Sequence, residues 1–193
     1  MRDSLPQFVL GYHGCDLSLV QDLLSAKTRL KLSRNIYDWL GDGIYFWENA
    51  PFRAMDWAKE CVENPKLSKG KITVPAVIGA IIDLGNCLNL IDTHHQEVIR
   101  EAYRGICSLC EKEKTPIPVN KEKCRKLDRA VINAAVELNR SRGYPEFDSV
   151  RSPYFEGDFL YPNANFKEKT HIQICVRNMD CIKGYFVPAV FLK

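Results

Sequence analysis

Two stretches decide how this chain is read: Gly11-Tyr12-His13-Gly14 and Leu40-Gly41-Asp42-Gly43-Ile44-Tyr45-Phe46. Each sets a polar ring among glycines and apolar, strand-forming residues. Glycine has no Cβ, so a flat ligand could lie directly against the backbone at such a point. A histidine beside one opening and a tyrosine beside another could grip a ribose and an aromatic ring. Together they are the first sign of a nucleotide-binding cleft.

Outward from these strings, residues 7–13 are rich in aromatic and branched side chains and predict a first strand. Asp16 follows as an N-cap, with Leu17, Val20 and Leu24 on one face of the next helix. Residues 27–35 are polar and basic, a loop with a short extended piece. Residues 43–47 predict a second strand buried on both faces. Asn49 is expected to cap a further helix with Pro51 in its first turn and Ala54, Ala58, Cys61 and Val62 inward, ending at Asn64-Pro65. Residues 72–84 predict a central strand that Pro75 enters late, extended or followed by Leu88 and Leu90.

The character changes over residues 92–142. Val98, Ala102 and Ile106, then Leu127, Val131, Ala134 and Leu138, keep helical spacing on either side of a stretch holding Pro116 and Pro118. This predicts a helical hairpin inserted into an otherwise β-rich domain, with Gly143 as its C′ residue. The basic strip from Lys112 to Arg129 reads as a solvated face. Short strands return at 148–153 and 171–176, separated by a long loop at 155–169, a length that is often functional. A turn at Asn178 and Asp180 leads to a closing strand over 182–192. The fold class expected is α+β, one domain over 1–193 with the helical insertion at about 92–142.

The chain has 193 residues, 46% of them hydrophobic and 26% charged, the balance of a soluble globular protein with a substantial core. No apolar run reaches membrane-spanning length and no basic-then-apolar leader follows Met1, so cytoplasmic residence without a membrane partner is expected. A net charge of +3 fits a nucleic-acid partner without requiring one. The eight cysteines are scattered through apolar patterns and read as reduced, buried small hydrophobes. Cys107 and Cys110 form a lone CxxC with Cys124 farther on, but no histidine stands at the usual spacing for a fourth zinc ligand, so the pair is expected to pack on a helix face and no metal is expected.

The order of these motifs resembles a known family. A histidine stands on the first strand, Gly41-Asp42-Gly43-Ile44-Tyr45-Phe46 on an early strand, an apolar strand ends in Asp83-Leu84-Gly85-Asn86-Cys87-Leu88, and Gln173-Ile174-Cys175-Val176-Arg177-Asn178 comes near the C-terminus. This is similar to the ADP-ribosyltransferase superfamily, in the branch of diphtheria toxin and the poly(ADP-ribose) polymerases with its His-Tyr-Glu signature. It is most like bacterial members of toxin–antitoxin and anti-phage systems. The resemblance implies a split, mixed or antiparallel sheet with flanking helices. It also implies NAD as co-substrate, a nucleic-acid (RNA or DNA) or protein acceptor, and an antitoxin or chaperone as partner.

Carried over, His13 would bond the adenosine ribose, and Gly14 would offer its backbone to the nicotinamide carboxamide. Tyr45 would stack on the nicotinamide ring, with Tyr37 or Trp39 as the second wall. The third position departs from the family, since Gln173, with His171 as rival, stands where glutamate belongs. A carboxamide bonds ribose hydroxyls but supplies no negative charge to an oxocarbenium-like transition state. Single transfer rather than polymer growth follows, with Glu156 as the first candidate for the missing carboxylate and general base, and Glu48 the second. Arg53, Arg34 and Arg151 are candidates for the pyrophosphate. The competing functions are NAD hydrolysis without an acceptor, a catalytically inactive NAD or ADP-ribose binding module, and RNA 2′-phosphotransfer.

Overall fold

The computed structural model describes residues 8–121 and 124–192. Nine strands and four α-helices follow one another: β1 (Phe8–Asp16), α1 (Leu17–Leu24), β2 (Ile44–Glu48), α2 (Pro51–Glu63), β3 (Pro75–Asp83), β4 (Cys87–Asn89), α3 (Gln96–Glu113), β5 (Asn120–Lys121), β6 (Cys124–Arg125), α4 (Lys126–Ser141), β7 (Ser149–Tyr154), β8 (His171–Val176) and β9 (Ile182–Phe186). Seven strands form one sheet in the order β4-β7-β8-β2-β1-β3-β9, and β5-β6 is a separate two-stranded ribbon. All pairs in the sheet are antiparallel except β4 with β7. The class is therefore α+β, around a large mixed sheet.

Strand alternation assigns the two faces. Phe46, Ile78, Ile82, Ile174 and Val176 pack with Val20 and Leu23 of α1 in the largest core cluster. On the other face Tyr12, Trp47 and Val77 pack under Ala54 of α2. Farther along that face, Leu88, Val150 and Cys175 pack under Ala102 of α3 and Val131, Ile132 and Ala135 of α4. One face thus carries two helical units side by side, α2 over β1 and β3, and the α3–α4 hairpin over β4, β7 and β8.

Several local expectations change. Asp16 does cap α1, accepting from the Ser18 amide at 3.0 Å. The buried face of α1, however, is Val20 and Leu23, while Leu17 and Leu24 are exposed, because α1 meets the sheet turned by roughly 60° at 100° per residue. Asn49 sits at φ 50 in the left-handed region and turns the chain, leaving Ala50 as the N-cap of α2 with no side-chain bond. Val62 lies on the exposed side of α2. Leu88 belongs to β4, which lies at the opposite edge of the sheet from β9, and does not extend β3. The strand begun at Ile182 stops at Phe186, before Pro188, which has no N–H to donate to a ladder. The strand expected over 148–153 runs Ser149–Tyr154. Gln7, expected in the first strand, lies outside the described residues. Gly143, at φ 72, follows the C-cap of α4 as a C′ glycine.

Cys15, Cys61, Cys175 and Cys181 are buried, whereas Cys87, Cys107, Cys110 and Cys124 are only half-buried, so the uniform burial expected of the thiols is corrected. Cys107 and Cys110 lie on the flank of α3 that the hairpin leaves partly open. Among the described residues no group of three or more His, Cys, Asp or Glu is placed to hold a metal, and no helix is long and apolar enough to cross a membrane.

Candidate functional site

The site begins where two strands part. β1 pairs with β3 over nine consecutive residues but with β2 over only two, Gly11 with Glu48 and Tyr12 with Trp47. Beyond that point the ladder stops, and the next contact is made by a side chain: His13 Nδ1 lies 2.8 Å from the Tyr45 carbonyl oxygen. A carbonyl only accepts, so Nδ1 carries the proton. Burial lowers the His13 pKa against the opposing pull of that hydrogen bond, so the ring is neutral. Its remaining nitrogen, Nε2, is then a lone-pair acceptor.

The gap opens into a cavity of about 510 Å³, within the range of small-molecule sites. His13, Gly14, Tyr37, Trp39, Tyr45, Arg53, Glu156 and Gln173 all line it. His13 shares its face of the sheet with Ile78, its partner across β3, whereas Tyr45 and Gln173 share the face that carries α2 and the hairpin. One cavity reaches both because it passes through the break between β1 and β2.

Tyr45 is fixed at both ends. Its hydroxyl donates to the Gly41 carbonyl at 2.8 Å and accepts from the Leu40 amide at 2.9 Å. Burial drives its pKa far above the ordinary phenol range. The hydroxyl is thus committed to the turn before β2, and what Tyr45 has left to offer the cavity is its ring. Gly41 makes that turn possible with φ +83, and a Cβ there would stand 2.6 Å from Asn133 Oδ1 of α4.

The glycines beside the two rings have a different use from the one expected. A Cβ on Gly14 would meet the Ala54 carbonyl oxygen of α2 at 2.2 Å, and one on Gly43 would meet Cys175 Sγ at 2.4 Å. Protein, not ligand, occupies the space that the missing side chains leave. They let α2 and β8 close on the site from behind.

Tyr37 and Trp39 flank Asp38, which is buried at 5% exposure. Its carboxylate accepts from Ser33 Oγ at 2.7 Å and from the Asn35 amide at 2.5 Å. Desolvation raises its pKa against those bonds. This knot holds the loop so that Trp39 Nε1 donates to Gln173 Oε1 at 2.6 Å and the indole lies 4.8 Å from the Tyr154 ring. That bond uses one of the two lone pairs of Oε1, and the two carboxamide N–H groups remain as donors.

Glu156 accepts from Arg53 Nη2 at 2.8 Å, and the Arg53 side chain is only 10% exposed. Arg53 Nε and Nη1 are buried without a hydrogen-bond partner among the described residues, and the guanidinium sits 5.8 Å from the Trp47 ring centroid. Lys169 and Arg53 both approach Glu60, so α2 is tied to the loop that carries Glu156.

Other candidates lie elsewhere. Glu48 forms a bidentate pair with Arg151, at 2.5 and 2.8 Å, and neither lines the cavity. Away from the cavity wall, Glu48 is no source of negative charge for the site and Arg151 no phosphate ligand. Arg34 is exposed and does not line the cavity. His171, the rival to Gln173, is buried with Nδ1 2.6 Å from the Lys169 carbonyl, packed beside Tyr154 and Trp47. Burial lowers its pKa and keeps it neutral.

Sequence reasoning missed Asp38, Tyr154, Trp57 and the lysines Lys31, Lys69 and Lys71, which also line the cavity. Asp38 had a legible signal, since Ser33, Asn35 and Asp38 are a polar cluster of the kind that closes loops through side-chain–backbone bonds. Tyr154 had none, because its place beside Trp39 comes from the pairing of β7 with β8.

Over 189 residues, spanning 89% of this chain and 83% of the relative, the sequence is 28% identical to an uncharacterized protein of Methanocaldococcus jannaschii. No family model matches the chain. No solved structure matches it.

Proposed function

We propose that the chain is an NAD-dependent mono-ADP-ribosyltransferase that acts as a toxin or defence effector, with the cavity at the β1–β2 break as its dinucleotide site. The observation that carries this reading is the convergence of His13, Tyr45 and Gln173, from three separate strands, on one cavity. Its chemistry suits the ligand. Neutral His13 has an acceptor nitrogen for a ribose hydroxyl. Tyr45 has a fixed ring face for a flat heterocycle, worth about 0.5–1.5 kcal/mol beyond burial. Gln173 has two donors for hydroxyl oxygens, and either Tyr37 or Trp39 supplies a second aromatic wall.

NAD would supply an ADP-ribosyl group: the bond from nicotinamide nitrogen to C1′ breaks, its electron pair neutralises the ring, and an acceptor lone pair forms the new bond to C1′. Glu156 would take the proton that the acceptor loses. Arg53 Nη2 donates to that carboxylate at 2.8 Å and so positions it at the cavity wall. Positioning supplies much of such a barrier reduction, and His13, Tyr45, Gln173 and Glu156 are each held by a hydrogen bond within the protein.

A second reading is a binding module without turnover. It is favoured by one observation: the strand that should carry a glutamate carries Gln173, whose oxygen is already occupied by Trp39. Titration calorimetry with NAD, followed by chromatography for free nicotinamide, separates the two. The transferase reading expects binding that His13→Ala abolishes and nicotinamide release that depends on an acceptor. Binding with no release in the presence of cell extract supports the module. No binding by wild type overturns both.

A further inference from the structure

The cavity has two unlike rims. Loop 25–35, between α1 and β2, carries Lys27, Arg29, Lys31 and Arg34; loop 64–72, between α2 and β3, carries Lys66, Lys69 and Lys71; neither contains an aspartate or glutamate. All seven cations are exposed, and none has a carboxylate partner among the described residues. Lys31, Lys69 and Lys71 line the cavity itself. The two aspartates lining the cavity are already engaged: Asp16 by the amides of Val74 and Thr73 and by Ser18, which hold its pKa well below the usual range, and Asp38 by Ser33 and Asn35. By contrast, the basic strip at 112–129 is partly neutralised, with Arg125 paired to Asp128 and Arg129 to Asp42.

A second bordering loop, 155–169, places Glu156 in the cavity wall. It is aromatic: Phe155, Phe159, Tyr161 and Phe166 are each more than half exposed. Lys167 Nζ lies 5.0 Å from the Phe159 ring centroid. Exposed rings on a loop held to α2 by the ion pairs of Arg53 and Lys169 are stacking platforms, not core.

We infer that the acceptor is a single-stranded nucleic acid laid across the mouth of the cavity. Its phosphates meet loops 25–35 and 64–72 and its bases stack on loop 155–169. Unpaired lysines and arginines bind a phosphate backbone by releasing its counterions, and exposed rings bind unpaired bases of any sequence. A base in a stacked duplex could not reach into the cavity, so a single strand or a flipped nucleotide is required. An acidic peptide would satisfy the lysines but leave four exposed rings without partners. The inference rests on the dinucleotide reading above for the chemistry, but apart from Lys31, Lys69 and Lys71 the cations and the four rings of its binding surface do not line the cavity.

The test is fluorescence anisotropy with a labelled oligonucleotide of mixed sequence, as RNA, as DNA and as the corresponding duplex, over a range of salt. The expected result is tighter binding of one or both single strands than of duplex, weakening with salt at a slope of roughly −0.7 per phosphate contacted. Lys27→Glu/Arg29→Glu/Lys66→Glu should weaken it at least tenfold and flatten the slope. Phe159→Ala/Phe166→Ala should weaken it while keeping the slope. The RNA and DNA arms identify which polymer is used. Calorimetry with NAD on the same wild-type preparation keeps the two readings apart: NAD binding without nucleic-acid binding overturns this inference alone. Equal affinity for duplex and single strand, or wild-type affinity in both variants, overturns it too, as does transfer of label from NAD to protein and not to nucleic acid.

Discussion

The indole Nε1 of Trp39 donates to Oε1 of Gln173 at 2.6 Å, joining the loop before β2 to the middle of β8 across 134 residues of chain. That bond anchors the carboxamide at the cavity, and it makes the departure from glutamate measurable. Gln173→Glu would place a carboxylate where Trp39 already offers a donor, and a charge-assisted bond is stronger than a neutral one. Under the proposed function this variant releases nicotinamide faster than wild type, by about tenfold for each 1.4 kcal/mol of added transition-state stabilisation. Steady-state assays of nicotinamide release measure it. Trp39→Phe should raise KM for NAD, because the freed carboxamide can rotate.

Gly14→Ala tests the finding that this glycine serves the approach of α2. The added methyl would stand 2.2 Å from the Ala54 carbonyl oxygen, a backbone atom that cannot swing aside. Overpacking of this kind costs about 1–3 kcal/mol. In a chain of this length each kcal/mol lowers Tm by roughly 2–4 °C. Calorimetric melting should therefore show a drop of several degrees. An unchanged Tm would mean that α2 shifts freely.

The pKa values of His13 and His171 are both lowered by burial from the ordinary 6.5. Below that pH the unfolded chain takes up protons that the folded chain refuses, so stability falls as pH drops beneath 6.5 and is level above it. Urea unfolding at a series of pH values should show this slope. The His13 ring itself stays neutral to lower pH than a free histidine, so ligand affinity should hold steady from pH 8 down through 6.5. A loss of affinity centred on 6.5 would show a freely titrating ring.

Thiol chemistry should divide the cysteines by position. Burial pushes the thiols of Cys15 and Cys175 up to about 12 and that of Cys61 to about 11, which leaves almost no thiolate at neutral pH. Peptide mapping after brief alkylation of the native protein should find label on Cys107, Cys110 and Cys124 first, and on Cys15, Cys61 and Cys175 only after unfolding.

How far the sequence could be read followed from the kind of signal each part carries. Segments with strong periodicity were legible: strand His171–Val176 and the two helices of the hairpin lie where alternation and helical spacing placed them. Boundaries set by backbone conformation were not, as at Asn49, whose positive φ turned an expected cap into a bend. The residues gathered at the cavity were named from motif order. The break between β1 and β2 that gathers them is a matter of register and leaves no trace in composition. Arg53 and Arg151 looked alike as sequence, and only their partners, Glu156 in the cavity wall and Glu48 away from it, tell them apart.

The most direct measurement is nicotinamide release from NAD by purified protein with total cellular nucleic acid, comparing wild type with Tyr45→Ala and His13→Ala. The account predicts release by wild type, accompanied by ADP-ribose on the nucleic acid by mass spectrometry, with each variant lower by at least tenfold. Release by the variants at the wild-type rate, or none by wild type, would contradict it.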